Sequence, residues 1–132
     1  VVIPLLDARM QEVFGAVYRF RNGVREELVP ARACRVESLL SNDYLNEPNL
    51  YFLGEGAWRY ETEVRNRTPQ GHLVSPACGT SRADTVAAEA CSMIAAGCCV
   101  DPALAAPCYL RVSQAEQARA ARNSKAADVR PI

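Results

Sequence analysis

The residues with the most chemical potential are six cysteines, Cys34, Cys78, Cys91, Cys98, Cys99 and Cys108. Their number is even, and all but Cys34 fall at or after position 78. An even, clustered set reads as a disulfide framework in an oxidising compartment. Cys98 and Cys99 are adjacent, and neighbours strain disulfide geometry, so each is expected to reach a different partner. Cys108 is close enough in sequence to pair with one of them, Cys78 with Cys91 forms a reasonable further pair, and Cys34 would bridge the front of the chain to the rear. The sequence leaves the connectivity open.

Other chemistry is sparse. His72 is the single histidine, so any triad or histidine-metal site must use it. It sits on an expected strand three residues before Ser75, and residues three apart on a strand point to opposite faces. No Cys pair has the short C-x-x-C spacing that zinc favours. Cys78-Gly79-Thr80-Ser81-Arg82 is the nearest approach to an anion site, since Gly and hydroxyl residues at a helix start can present amides to an anion. It reads more simply as a turn, a cysteine and a helix cap. Gly54-Glu55-Gly56 reads as a hairpin turn. Glu61 and Glu63 would share a strand face as solvated charges. Asn66-Arg67-Thr68 is a glycosylation sequon on an expected turn. No catalytic, cofactor or metal site is assigned.

Composition limits the partners. The 132 residues suit one domain, and Lys+Arg and Asp+Glu are both 15, so the formal net charge is zero. That balance argues against capture of nucleic acid or acidic lipid by a broad positive field. The basic residues of the last segment, Arg119, Arg122, Lys125 and Arg130, have no aromatic interleaving and do not read as a nucleic-acid arm. No stretch is long and apolar enough to span a bilayer. The chain opens Val1-Val2-Ile3-Pro4, which fits removal of a signal peptide or of a membrane segment upstream.

These groups need elements to position them. Ile3, Leu6, Met10, Val13, Phe14, Val17 and Tyr18 recur at helical spacing and predict an amphipathic helix over 5–21, stopped at Asn22-Gly23. A short helix is expected over 31–40 and a loop over 41–49. Leu50 to Leu53 predicts a strand. Trp58, Tyr60, Thr62 and Val64 alternate with charged residues, predicting a second strand in a hairpin, and 72–75 a third. An Ala-rich helix is expected over 83–96, with Ser81 as cap and Gly97 as stop. Asp101-Pro102 predicts a capped single turn. Residues 1–112 would form one globular domain and 113–132 a polar helical tail.

The expected fold is therefore α+β: an N-terminal amphipathic helix, a small antiparallel sheet of about three strands, and C-terminal helices braced by disulfides. The expected role is a non-enzymatic structural or interaction subunit of a larger assembly, outside the cytoplasm (secreted, periplasmic or at the cell surface). It would bind a protein partner or itself, with Trp58, Tyr60, Tyr51 and Phe14 as interface candidates. A small secreted binder or inhibitor is one alternative, and an enzyme using His72 or Cys78 another. The long leading helix, small sheet and cysteine-rich rear half together resemble the layout of type IV pilin-like subunits. That resemblance implies a filament subunit.

Overall fold

A computed structural model describes residues 1–41 and 43–111. The polar tail expected over 113–132 lies outside the described residues. The chain begins with three long strands, β1 (Val2–Arg9), β2 (Glu12–Arg21) and β3 (Val24–Cys34). The predicted N-terminal helix is thus replaced by an antiparallel meander, in which Leu6 faces Phe14 and Arg19 faces Glu26 across the ladders.

The physical reason lies in the residue types and the turn. Asn22 and Gly23, with φ of 51° and 77°, do not end a helix. Both adopt the left-handed conformation that closes a two-residue hairpin, and Asn-Gly is a strong signal for that turn. The segment is rich in Val, Ile, Tyr and Phe, which suit a pleated surface. Because β1 and β2 carry apolar residues on both faces, their pattern is nearly continuous, and helical spacing can be picked out of such a run.

Two one-turn 3-10 segments, Val36–Ser38 and Asp43–Asn46, lead to β4 (Tyr51–Leu53). The helix expected over 31–40 is absent, because the front part of it continues β3. β4 lies parallel to β1, with Ile3 opposite Phe52. Helices α1 (Glu55–Arg59) and α2 (Glu61–Arg67) follow, then β5 (His72–Leu73), parallel to β4. The sheet is mixed and five-stranded, in the order β3-β2-β1-β4-β5.

The hairpin predicted from the alternation at Trp58 to Val64 is therefore a helical crossover. That crossover is needed because parallel strands cannot be joined by a tight turn. Gly54 and Gly56 are the entry to α1 and not the tip of a hairpin. Asn66 lies in the last turn of α2, exposed, and not on a loop.

One layer of helical segments packs on one face of the sheet. Val36, Leu39, Leu40, Tyr44, Ala57, Tyr60 and Val64 meet Ile3, Leu5, Val13, Val17 and Phe52 in a single buried cluster. Polar groups that enter it are satisfied: the Tyr44 hydroxyl donates to the Leu39 carbonyl at 2.5 Å, and Thr68 donates to the Val64 carbonyl at 2.6 Å.

Beyond β5 come a short helix α3 (Pro76–Gly79) and α4 (Ala83–Ala95). The Ala-rich helix is where the sequence puts it, and Gly97, at φ 70°, ends it. Its N-cap is Arg82 with no side-chain cap bond, so Ser81 does not cap it. Asp101 accepts from the Ala103 amide and caps the turn Pro102–Leu104 as expected.

All six cysteines lie within the described residues and every one is a free thiol; Cys34 is half-buried and the other five are exposed. No disulfide braces the fold. The core on β1, β2 and β4 already closes without Cys78, Cys91, Cys98, Cys99 or Cys108, none of which belongs to it. The argument for an extracytoplasmic compartment rested on those cross-links and loses that support. Among the described residues, no helix is long and apolar enough to cross a membrane.

Candidate functional site

Two surfaces differ from ordinary solvated protein. The first is a polar cleft of about 510 Å³ on the helical side of the sheet, lined by Gln11, Arg35, Glu37, Arg59, Tyr60 and Glu63. Its rim is the β1–β2 turn, where Arg9, Met10 and Gln11 have φ of 60°, 52° and 62°. Three consecutive non-glycine residues in the left-handed region cost local energy and persist only where the surroundings hold them. Here the Arg9 amide donates to the Asp7 carboxylate at 3.0 Å, and a bulge interrupts the ladder between Asp7 and Arg9.

The cleft's two guanidiniums are held by short-range partners. Arg35 donates to the Gln11 side-chain oxygen at 3.1 Å. Arg59 pairs with Asp7 at 3.5 Å. Glu37 comes from the 3-10 turn after β3 and Glu63 from α2. Tyr60, between α1 and α2, is 9% exposed and belongs to the core cluster.

The second surface is the other face of the sheet. Leu6 stands opposite Phe14 and Val2 opposite Tyr18, and directly paired residues share a face. Leu6 is 51% exposed and Phe20, one step further along that face of β2, is 53% exposed. The cover on this face is thin. Arg111 crosses over the Phe14 ring at 5.8 Å, donates to the Ala8 carbonyl at 3.0 Å and pairs with Glu12. Arg25 lies over the Tyr18 ring at 5.6 Å and reaches Glu89 of α4 at 3.8 Å.

α4 itself buries nothing. Val86, Met93 and Ile94 share one side of it with Ala90 at helical spacing, and the three large ones are exposed. At its first turn, Arg82 and the Thr85 amide hold the Asp84 carboxyl below the usual carboxylate range. A fully solvated helix with an apolar stripe is not self-sufficient, since most helical stability in proteins comes from packing such a stripe.

The residues singled out from sequence scatter over this framework. Tyr60 enters the cleft, and Phe14 sits half-buried on the second face. Trp58 is half-buried, with its indole donating to the Val74 carbonyl at 2.9 Å, so it braces α1 against the chain leaving β5. Tyr51 stacks on His72, ring centroids 5.3 Å apart, on exposed strand ends. Among the described residues, the His72 ring makes no hydrogen bond to a hydroxyl, thiol or carboxylate. Cys78 lies in α3 with Thr80 donating to the Pro76 carbonyl beside it, an ordinary turn. Glu61 is spent on Arg65 at 2.6 Å within α2, while Glu63 points to the cleft.

No group of three or more His, Cys, Asp or Glu residues could hold a metal among the described residues. Sequence reasoning missed Gln11, Arg35, Glu37 and Arg59. They are far apart in the chain, and only the sheet brings the β1–β2 turn to the end of β3 and to the α1–α2 corner.

No family model matches the chain, and no curated protein sequence does. Among solved structures, the chain is similar to an uncharacterized protein with similarity to peptidase YeaZ, from Pseudomonas aeruginosa. The match has a TM-score of 0.65 and 25% identity, covering 83% of this chain and 49% of that one. This chain therefore spans about half the length of the protein it matches. The likeness overturns the expectation of an extracytoplasmic structural or interaction subunit, together with its inhibitor and pilin-like alternatives, and the meander at the N-terminus removes the helix on which the pilin-like layout stood.

Proposed function

We propose that this chain is a YeaZ-like domain that works by docking, through its second sheet face and α4, onto another domain of the kind that makes up the rest of the Pseudomonas protein. The observation that carries this reading is the unpaid apolar surface. Leu6 and Phe20 on the sheet, beside the half-buried Phe14 and Tyr18, and Val86, Met93 and Ile94 on α4 are large apolar side chains left exposed. Exposed large apolar side chains grouped on one strand face and one helix side mark an interaction site. The half-length match supplies the occupant, because the neighbour carries a further stretch of comparable length.

Among the described residues, no catalytic constellation supports the peptidase in the neighbour's description. His72 stacks on Tyr51 and, among the described residues, has no nucleophile in hydrogen-bond reach. The domain's contribution is then a shaped half of a joint structure, and chemistry, where there is any, falls on the composite.

The test is association. The part of the Pseudomonas protein that this chain does not cover is produced separately and mixed with the chain in sedimentation experiments. A one-to-one complex is expected, and Leu6→Asp with Phe20→Asp should abolish it. A chain that stays alone while its sheet face remains accessible to an apolar dye argues for docking on some other protein. A chain that self-associates through that face argues for a homodimer.

A further inference from the structure

We propose that residues 105–111 form an autoinhibitory strap, anchored by Arg111, that covers the Phe14 end of the docking face and must leave before a partner seats there. The strap rests on the docking reading above and supplies the regulation of that same face.

The burial pattern of the rear segment starts the argument. Every residue from Ser81 to Tyr109 is exposed, and burial resumes only at Leu110 and Arg111, both half-buried. Residues 105–111 form neither helix nor strand. Such a stretch has no ladder or helix of its own to hold it in place, so it opens readily. It nevertheless returns to the sheet and ends on the β1–β2 ladder.

The place that Arg111 reaches has three sides. The ladder shifts register between Asp7 and Arg9 and leaves Ala8 outside the pairing. The Ala8 carbonyl accepts from Arg111 at 3.0 Å, and the Glu12 carboxylate accepts from a second nitrogen of the same guanidinium. The Phe14 ring forms the third side, its centroid 5.8 Å from the guanidinium carbon. A carbonyl, a carboxylate and a ring face together suit a planar cation with several donors. Ala8 is buried although it stands outside the core cluster. Leu6, in register with Phe14, remains exposed. Arg111 therefore covers one end of a face whose other apolar groups stay open.

The hold is weak enough to be reversible. The Arg111 and Glu12 side chains are 25% and 35% exposed, and ion pairs that water reaches contribute little. One cation over one ring adds a comparably small amount. A partner that binds only the open form loses affinity by the fraction of chains that are closed, a several-fold and not a thousand-fold effect for an anchor of this kind.

The experiment compares the unaltered chain with Arg111→Ala, which removes the anchor, and with Glu12→Gln, which leaves Arg111 in place but removes its charged acceptor. Circular dichroism checks that each variant keeps the native fold, and the second variant carries the test if the first does not. Each chain is sedimented with the separately produced remainder of the Pseudomonas protein, and each is titrated alone with an apolar dye. Both variants should associate about fivefold more tightly than the unaltered chain and bind more dye. Unchanged or weaker association in both variants, with the unaltered chain docking, overturns the strap and leaves the docking reading standing. If none of the three chains associates, the docking reading fails and the dye decides the strap. More dye on the variants then keeps Arg111 as the cover of this face, and equal dye overturns it as well.

Discussion

Gly54 sits against the backbone of Leu5 so closely that a Cβ there would lie 2.4 Å from the Leu5 carbonyl oxygen. Gly54 also has φ of 93°, in the region that L side chains avoid. This one contact sets how α1 leaves β4 and crosses the middle of the sheet, and so where Arg59 and Tyr60 reach the cleft. Gly54→Ala is expected to destabilise the domain by roughly 3 kcal/mol or more, adding backbone strain to a clash with an atom that cannot move aside. Chemical denaturation checks it, and a cost under about 1 kcal/mol would mean that the crossover is less rigid than this packing requires.

Leu39 is fully buried beneath the sheet. A Cβ on Gly15 would lie 2.4 Å from its Cδ1. Leu39→Ala should cost about 2–5 kcal/mol, through lost burial and the cavity left behind. Gly15→Ala alone should also destabilise, by about 1–3 kcal/mol. The double variant should lose less than the two costs summed, because the new methyl enters the vacated space. Denaturation midpoints of the three variants read the coupling directly.

The cysteines yield a chemical prediction. Alkylation of the native, unreduced protein followed by mass measurement should count six reactive thiols, with Cys34 modified more slowly than the other five because it is half-buried. Reducing agent should leave the thermal midpoint unchanged. A native mass lower by the hydrogens of even one disulfide contradicts the arrangement.

Acid should loosen α4 at its start. Asp84 is depressed chiefly by the hydrogen bond from Arg82 and next by the Thr85 amide. A group whose folded value is lowered stabilises the structure above its unfolded value and loses that contribution as pH falls through the folded value. The helix content read by circular dichroism is therefore expected to fall below about pH 4, the ordinary range for an aspartate. Asp84→Asn should flatten that limb of the curve. An identical acid limb in the variant would assign the loss to other carboxylates.

How much of this was legible in the sequence depends on the range over which each signal acts. Local signals gave the right answer where the chain answers only to itself. The Ala-rich run from Ala83, the stop at Gly97, the Asp101-Pro102 turn and the apolar strand at Tyr51 to Leu53 all form as their residues dictate. The leading segment misled because a strand with apolar residues on both faces loses its alternation. Trp58 to Val64 misled in the opposite sense: its charges recur at every second position, yet α1 and α2 must span β4 to β5, and only a helical crossover does that. The cysteine count carried no geometry, since even spacing says nothing about which sulfurs meet.

Composition and local pattern by themselves determined a balanced-charge domain, a rear helix and its stop at Gly97. Tertiary structure alone decided the five-stranded order, the free state of the thiols and the cleft. Its lining comes from Gln11, Arg35, Glu37 and the Arg59–Glu63 stretch, groups that no sequence window contains together. They converge because β1 pairs with β2 on one edge and β4 on the other, and that pairing is settled by the burial of Ile3, Leu5, Val13, Val17 and Phe52 in one core, a condition on the whole chain that no short segment can express.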